Sequence, residues 1–177
     1  MKHTDKEKRM IIASTLERLA FTEFYKNRSD FQILEMTPVT GSDSYDAVIV
    51  SGSSTYLIEI KVRKYPKKAY TGWILEHYKH TFLMEYAKKK GYIPAYMNIH
   101  SDGVQIWNLN NVIPEWIDRP LPEDSQTGSS NTKYKKVADL NSADASHYDE
   151  SYDRLGLQDK AEALYNKHFN KPTEWNF

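Results

Sequence analysis

Apolar residues recur at helical spacing near the start of the chain. Thr4 or Asp5 is suited to cap a helix there, and polar residues interrupt the pattern near Asn27. The apolar stripe consists of Ile12, Leu16, Leu19 and Ala20. This spacing predicts a first helix whose stripe packs against the rest of the protein.

Short segments rich in β-branched residues follow the first helix. They predict strands at residues 31–36, 45–50 and 55–63. The last two flank a four-residue connection that contains Gly52, which predicts an antiparallel hairpin.

The middle of the chain predicts a second long helix. It covers residues 70–90 and ends at Gly91 and Pro94. Its apolar residues surround most of the circumference, so we expect it to pack on more than one side. Residues 93–100 and 104–109 then predict two strands joined by a tight turn.

The last third of the chain is less regular. Residues 114–132 carry three prolines and a polar run, which predict a loop. Residues 135–140 predict an edge strand and residues 157–169 a short amphipathic helix. We therefore expect an α/β core over residues 1–110 and an irregular C-terminal extension, residues 111–177, packed on the same domain.

Composition supports one folded domain. The 177 residues are 40% hydrophobic and 27% charged, as in globular proteins. The sequence contains no cysteine, which excludes disulfides, thiolate zinc sites and thiol nucleophiles. No apolar run is long enough to cross a bilayer and the N-terminus lacks the apolar segment of a secretory signal, so a cytoplasmic location is expected.

The charges are unevenly distributed although the formal net charge is zero. Residues 61–90 hold nine Lys or Arg against Glu76 and Glu85, and such a stretch can attract phosphates. Lysines 88–90 can equally be a solvated helix end. Overall neutrality argues against strong salt-driven binding to long duplexes.

Two charged residues stand in the middle of the third predicted strand. Alternation along a strand places Glu59 and Lys61 on one face, opposite an apolar face. Asp46 lies on the adjoining strand, and the hairpin can bring it next to Glu59. Buried charges are costly unless each has a partner, so this grouping requires an explanation.

Two carboxylates and a lysine suit hydrolysis of a phosphodiester. Carboxylate oxygens hold Mg²⁺, which can acidify a water and neutralise charge on a phosphate. A lysine can orient or deprotonate that water, or stabilise the transition state. The alternative is a structural ion pair between Lys61 and Asp46 or Glu59 on a solvated sheet face.

The sequence resembles the PD-(D/E)XK nuclease superfamily over about residues 10–109. Asp46 and Glu59-Ile60-Lys61 match its motif, and the predicted order αβββαβ matches its restriction-endonuclease-like core, a mixed sheet flanked by helices. The resemblance implies that Asp46, Glu59 and the main-chain carbonyl of Ile60 bind Mg²⁺ or Mn²⁺ and that Lys61 is catalytic. The chain departs from the motif at Tyr45, where the family name has proline.

Resolvase-like members of this superfamily also place a glutamate on the first helix. Glu17 lies at the edge of the apolar arc, and Glu23 lies nearer its centre but close to the helix end. The distance to the first strand favours Glu17 as a supporting metal ligand. Its alternative role is an ordinary pair with a surface base.

Further side chains are candidates for substrate contacts. The second helix offers Lys79, which family members would direct toward the site and which can otherwise cover apolar surface. His77 and His80 lack a third zinc ligand, and His100 is expected at the surface. Basic and aromatic residues next to the active strand are predicted to bind nucleic acid: Arg63, Lys64, Lys67, Lys68, Tyr65 and Tyr70.

These observations together predict a metal-dependent nuclease. The predicted substrate is DNA, duplex or branched. Resolvase-like enzymes pair to cut symmetrically, and this resemblance implies a homodimer. One alternative is an inactive nuclease-fold module that binds nucleic acid or a protein partner. Another is an unrelated α/β interaction protein in which Lys61 only pairs with a carboxylate.

Overall fold

The structure is a computed structural model that describes residues 3–40, 44–122, 131–149 and 151–169. Its first element is helix α1 (Asp5–Tyr25). Thr4 caps the helix: its side chain accepts a hydrogen bond from the Glu7 amide, and the Glu7 carboxylate accepts one from the Thr4 amide. This capping box satisfies amides that a helix start leaves unpaired. The predicted first helix is confirmed.

Three antiparallel strands follow: β1 (Phe31–Met36), β2 (Ala47–Ser51) and β3 (Ser54–Val62). β2 pairs with both neighbours. The turn between β2 and β3 has Gly52 at φ 57°, a conformation that favours glycine. The predicted strands and hairpin are confirmed.

The next segment corrects the predicted second helix. Residues 70–76 are not helical; they include strand β4 (Gly72–Glu76), and α2 covers only His77–Lys90. Trp73 and Leu75 on β4 are buried in the core. The apolar residues that were predicted to surround a single helix therefore belong partly to strand β4 and partly to helix α2. Gly91, at φ 71°, ends α2 as expected.

Two more strands extend the main sheet: β5 (Ile93–His100) and β6 (Gly103–Asn108). β5 runs parallel to β3 and antiparallel to β6. A short strand, β9 (Ser146–Tyr148), pairs with the far side of β6. The main sheet is thus mixed, in the order β1-β2-β3-β5-β6-β9.

A second sheet arises where a loop and an edge strand were predicted. Ile117–Pro122 form β7, so the loop prediction for residues 114–132 is wrong there, and residues 123–130 lie outside the described residues. β8 (Thr132–Asn141) pairs with β7 on one side and β4 on the other. It is the central strand of the order β4-β8-β7, not an edge strand.

Helices cover both faces of the main sheet. One apolar cluster joins α1 to Ile58 and Ile60 of β3, and a second joins Leu57 to Leu83 of α2. The C-terminal helix α3 (Arg154–Phe169) packs on α1. The mixed α/β fold, with a mixed sheet flanked by helices, is therefore as predicted. Among the described helices, none has the length and apolar character needed to span a bilayer.

Candidate functional site

The β2–β3 hairpin places the carboxylate of Asp46 beside β3. The Asp46 amide, immediately before β2, donates to the Ile58 carbonyl at 2.8 Å. The Ile60 amide in turn donates to Asp46 Oδ2 at 2.7 Å. The backbone thus fixes Asp46 next to the Glu59-Ile60-Lys61 segment. The metal-ligand role of the Ile60 carbonyl stays a prediction.

Glu59 is the most deeply buried acid of this group, with 1% of its surface exposed. Its Oε2 accepts a hydrogen bond from Lys79 Nζ at 3.0 Å. Its Oε1 lies 3.1 Å from Lys61 Nζ but makes no hydrogen bond of good geometry. Glu59 therefore carries a buried oxygen that is available to a further positive ligand.

Lys61 connects β3 to the first helix. Its Nζ lies 3.1 Å from Glu17 Oε1 as well as 3.1 Å from Glu59. Glu17 is buried, whereas Glu23 forms an ion pair with Lys26 at the surface. Of the two glutamates considered on this helix, the structure brings Glu17 to the site.

Arg18 belongs to the same site and was missed in the sequence. Its Nη1 lies 2.6 Å from Asp46 Oδ1 and 3.9 Å from Glu17 Oε2. Its other nitrogens donate to the backbone carbonyl and the hydroxyl of Thr37. In the sequence, the available indication was that Arg18 directly follows Glu17 and lies three residues before the apolar Phe21.

The electrostatics of the site follow from burying three acids together. Burial, together with the charges of Asp46 and Glu59, raises the pKa of Glu17 to about 7, against the opposing effect of Lys61. For Lys61, burial lowers the pKa, but the three carboxylates outweigh it and raise the pKa well above its usual value. Lys61 is therefore an ammonium at neutral pH.

These side chains line a cleft of about 390 Å³ between the two sheets and α1. The main sheet, α1 and the first turn of α2 contribute the charged residues already described. The second sheet contributes the opposite wall, with Ile74, Glu76, Leu121 and Lys135. That wall was not predicted, because β4 and β7 were not recognised as strands.

The predicted nucleic-acid contacts fall into separate environments. Arg63 lines the cleft, where it donates to Asn98 Oδ1 at 2.9 Å and lies over the Trp73 ring. Exposed residues on the adjoining loop are Lys64, Lys68, Tyr65 and Tyr70, and the two tyrosine rings contact each other edge to face.

Lys67 does not fit the predicted role. It is buried, its amide donates to Asp102, and its ammonium group binds the Tyr148 carbonyl and Asp149. The structure thus corrects the interpretation of Lys67 as a nucleic-acid contact, because its charge is already used to join this loop to the end of β9.

The histidines also have local roles. His77 and His80 of α2 both contact the Trp116 ring. His100 is fully buried between the Tyr65 carbonyl and the Gln105 side chain, so its predicted surface position is wrong. Burial is the main cause that lowers the pKa of His100, despite the opposing effect of its hydrogen bond to Tyr65.

The donor chemistry of the cleft suits a hard divalent cation. Glu17, Asp46 and Glu59 supply carboxylate oxygens, the ligand type that Mg²⁺ prefers. Within the described ranges, however, no three His, Asp or Glu side chains are already grouped around a common point. Basic groups contact the carboxylates instead: Arg18, Lys61 and Lys79.

Sequence comparisons add no family to this description. Neither the protein-family models nor the curated proteins include a match to the chain. Among solved structures, it is similar to the 1.6 Å structure of Hjc from Archaeoglobus fulgidus, a Holliday junction resolvase from an archaeal hyperthermophile. The two share 16% identity over 70% of this chain and 85% of that chain, with a TM-score of 0.44.

Proposed function

We propose that this protein is a metal-dependent nuclease of the PD-(D/E)XK type that hydrolyses phosphodiester bonds in DNA. One observation carries the proposal: Asp46, Glu59 and Lys61 converge with Glu17 in a single cleft. These residues come from α1 and from a hairpin, far apart in sequence. A surface ion pair would not require three buried carboxylates.

The proposed cofactor is Mg²⁺ or Mn²⁺. Asp46 and Glu59 would hold it, with support from Glu17 and the Ile60 carbonyl. Such an ion acidifies a bound water and neutralises charge that develops on the scissile phosphate. The buried Glu59 Oε1, which has no well-formed hydrogen bond, is the oxygen best suited to gain this ligand.

The chain itself holds the acids in place. The Ile60 amide fixes the Asp46 carboxylate, and Lys79 fixes one oxygen of Glu59. These contacts limit the rotation of both side chains and so reduce the entropy lost when a ligand binds. Burial of Glu59 beneath the cleft also strengthens its attraction for a cation.

Lys61 would act as a positive charge. Because its pKa is raised well above the usual value, it is not available as a base in the site as described. An ammonium at this position donates hydrogen bonds to the attacking water or to the phosphate oxygens. Lys79, also at the cleft, would offer a second positive charge to the substrate.

The charge balance permits an anionic substrate to approach. The three carboxylates are matched by Arg18, Lys61 and Lys79, so this group has no net formal charge. A bound divalent cation would make the site positive. Exposed Lys64, Lys68, Tyr65 and Tyr70, with Arg63 in the cleft, would contact the DNA beyond the cleaved bond.

The proposal is tested by incubating the purified protein with supercoiled plasmid and with branched and linear DNA. We expect cutting that requires Mg²⁺ or Mn²⁺ and is lost in Glu59→Gln. Calorimetric titration with Mn²⁺ should show binding to the wild-type protein that Glu59→Gln weakens. Undiminished cutting by Glu59→Gln would remove the proposed mechanism.

A nuclease-fold module without activity is the second candidate. Arg18 favours it, because a guanidinium already occupies the Asp46 oxygen that a cation would need. This candidate predicts DNA binding with no heat of metal binding and no cutting under any metal. The calorimetric titration therefore distinguishes the two functions.

A further inference from the structure

A shallow depression of about 370 Å³ adjoins the candidate active-site cleft. It is lined by Glu76, His77, Tyr78, Lys133, Lys135 and Lys136. Three of these residues, Glu76, Tyr78 and Lys135, also line the cleft that contains Glu59 and Lys61. The depression is therefore a continuation of the cleft, and we refer to it as the ribbon groove.

The outer wall of the ribbon groove is a two-stranded ribbon. Residues 132–136 of β8 pair only with residues 118–122 of β7, whereas β4 pairs with β8 from residue 137 onward. This half of β8 consequently extends beyond β4 into solvent. Its side chains contribute little to the core, and Lys133, Tyr134 and Lys136 are exposed.

The charges in the ribbon groove are only partly neutralised. Lys135 is paired with Glu76 at 3.0 Å. Lys133 and Lys136 make no ion pair with another residue of the described ranges, although Asp118 lies opposite Lys136 in the strand register. Among the described residues, these two ammonium groups of the ribbon groove therefore have no ion-pair partner.

Exposed aromatic rings accompany these charges. Tyr78 is 60% exposed at the junction between cleft and groove. Tyr134 is 76% exposed on the ribbon, next to the residues that line the groove but not among them. Cations interleaved with exposed rings are the combination that binds a nucleic-acid strand, because ammonium groups meet phosphates and rings stack on unpaired bases.

We propose that the ribbon groove binds the sugar–phosphate backbone of the DNA strand that leaves the cleft, with Lys133 and Lys136 as phosphate contacts. This inference rests on the proposed function in that DNA is taken as the ligand. It places a binding surface on the second sheet, on residues that the sequence did not single out, in addition to the loop around Lys64.

The test measures DNA binding without cutting. A fluorescently labelled duplex with a single-stranded tail is titrated with full-length protein in EDTA, and anisotropy gives the Kd over a range of KCl concentrations. The variant is Lys133→Ala/Lys136→Ala. Its control is Lys88→Ala/Lys89→Ala, which removes the same charge from exposed positions at the other end of α2, about 17 Å along the helix from His77.

We expect the ribbon variant to bind at least tenfold more weakly than wild type. Loss of two phosphate contacts should also reduce the slope of log Kd against log salt by about 2. The control should keep the wild-type slope. Equal losses in both variants, no loss in the ribbon variant, or no DNA binding by wild type would each overturn the inference.

Cutting is measured separately, so the two proposals can fail independently. If wild type never cuts DNA with Mg²⁺ or Mn²⁺ but the ribbon variant loses affinity, the nuclease proposal fails and the ribbon groove stands. If wild type cuts DNA and the ribbon variant binds like wild type, the nuclease proposal stands and the ribbon groove is overturned.

Discussion

Nη1 of Arg18 lies 2.6 Å from Oδ1 of Asp46, and both residues are buried. The other oxygen of Asp46 is held by the Ile60 amide. Arg18 therefore contacts the oxygen that remains for a metal ion. We infer that the guanidinium stabilises the carboxylate when no metal is bound, and that a bound cation would reduce the need for this contact.

This relationship predicts the behaviour of Arg18→Met. Removing one partner of a buried pair leaves an uncompensated charge, so the free energy of unfolding in EDTA should fall by about 3–5 kcal/mol. Mg²⁺ should then stabilise the variant more than wild type, because the cation replaces the lost positive charge. Urea unfolding with and without Mg²⁺ measures both effects.

Lys26→Met provides the control for that experiment. Lys26 pairs with Glu23 at the surface, with 49% and 42% of the two side chains exposed. Exposed pairs contribute about 1 kcal/mol or less, so this variant should be nearly as stable as wild type with no added response to Mg²⁺. Equal responses of the two variants to Mg²⁺ would contradict the role inferred for Arg18.

The raised pKa of Glu17 predicts that the free energy of unfolding depends on pH. Burial raises its pKa in the folded protein from 4.5 to about 7, so the folded state binds the proton more tightly than the unfolded chain. This contribution to stability is complete below about pH 4.5 and is lost as the pH rises to about 7. The total loss is up to about 3 kcal/mol.

Comparison with Glu17→Gln isolates this effect. The variant cannot ionise, so its free energy of unfolding should decline less than that of wild type between pH 4.5 and pH 7. His100 is present in both proteins, and its lowered pKa acts in the opposite direction. Urea unfolding at several pH values gives the difference, and parallel pH profiles would contradict the buried state of Glu17.

The sequence predicted the centre of this protein well because local rules determine it. Strand alternation placed Glu59 and Lys61 on one face, and the short turn at Gly52 brought Asp46 beside them. Lys79 was selected from the family resemblance, which implies a polar group directed from this helix toward the site, and it contacts Glu59. For Glu59 and Lys61, the spacing along one strand fixes where the side chains point.

The features that were missed depend on distant partners. The segment containing Trp73 is a strand because it pairs with β8, some 65 residues later, and local propensity does not report such pairing. β7 contains Pro120 and Pro122, which its edge position tolerates. Arg18 and His100 are polar residues whose burial depends on carboxylate, carbonyl and amide partners elsewhere in the chain.

Gly103 is predicted to be intolerant of a side chain. A Cβ atom there would lie 2.1 Å from the Tyr148 carbonyl oxygen and 2.6 Å from Lys67 Nζ, at a φ of 141°. Gly103→Ala should lower the free energy of unfolding by about 2–5 kcal/mol, since backbone strain adds to steric overlap. At Gly52, an added Cβ atom would meet no described residue within 4 Å apart from its two chain neighbours, so Gly52→Ala should lower the free energy of unfolding by only about 1–2 kcal/mol.

Lys64 and Lys67 are predicted to differ although both lie on the same basic loop. Lys67 is buried and binds the Tyr148 carbonyl, so Lys67→Met should lower the free energy of unfolding by about 1–2 kcal/mol. Lys64 is exposed, so Lys64→Met should leave stability unchanged and weaken DNA binding. Thermal unfolding and anisotropy titrations on the two variants measure this contrast, and weaker DNA binding with intact stability in Lys67→Met would contradict it.

Substitutions of Lys61 test whether this side chain acts as a positive charge or as a base. Its pKa is raised well above the usual value by Glu17, Glu59 and Asp46, against the effect of burial, so it should act in its protonated form. Lys61→Met should therefore lower the cutting rate about 10²–10³-fold, whereas Lys61→Arg, which keeps the charge, should retain more activity. Initial rates at saturating Mg²⁺ and DNA measure both, with Lys89→Met as a control at an exposed position. If Lys61→Arg is as inactive as Lys61→Met while both bind Mn²⁺ like wild type, a positive charge at this position is not sufficient and the role proposed for Lys61 is contradicted.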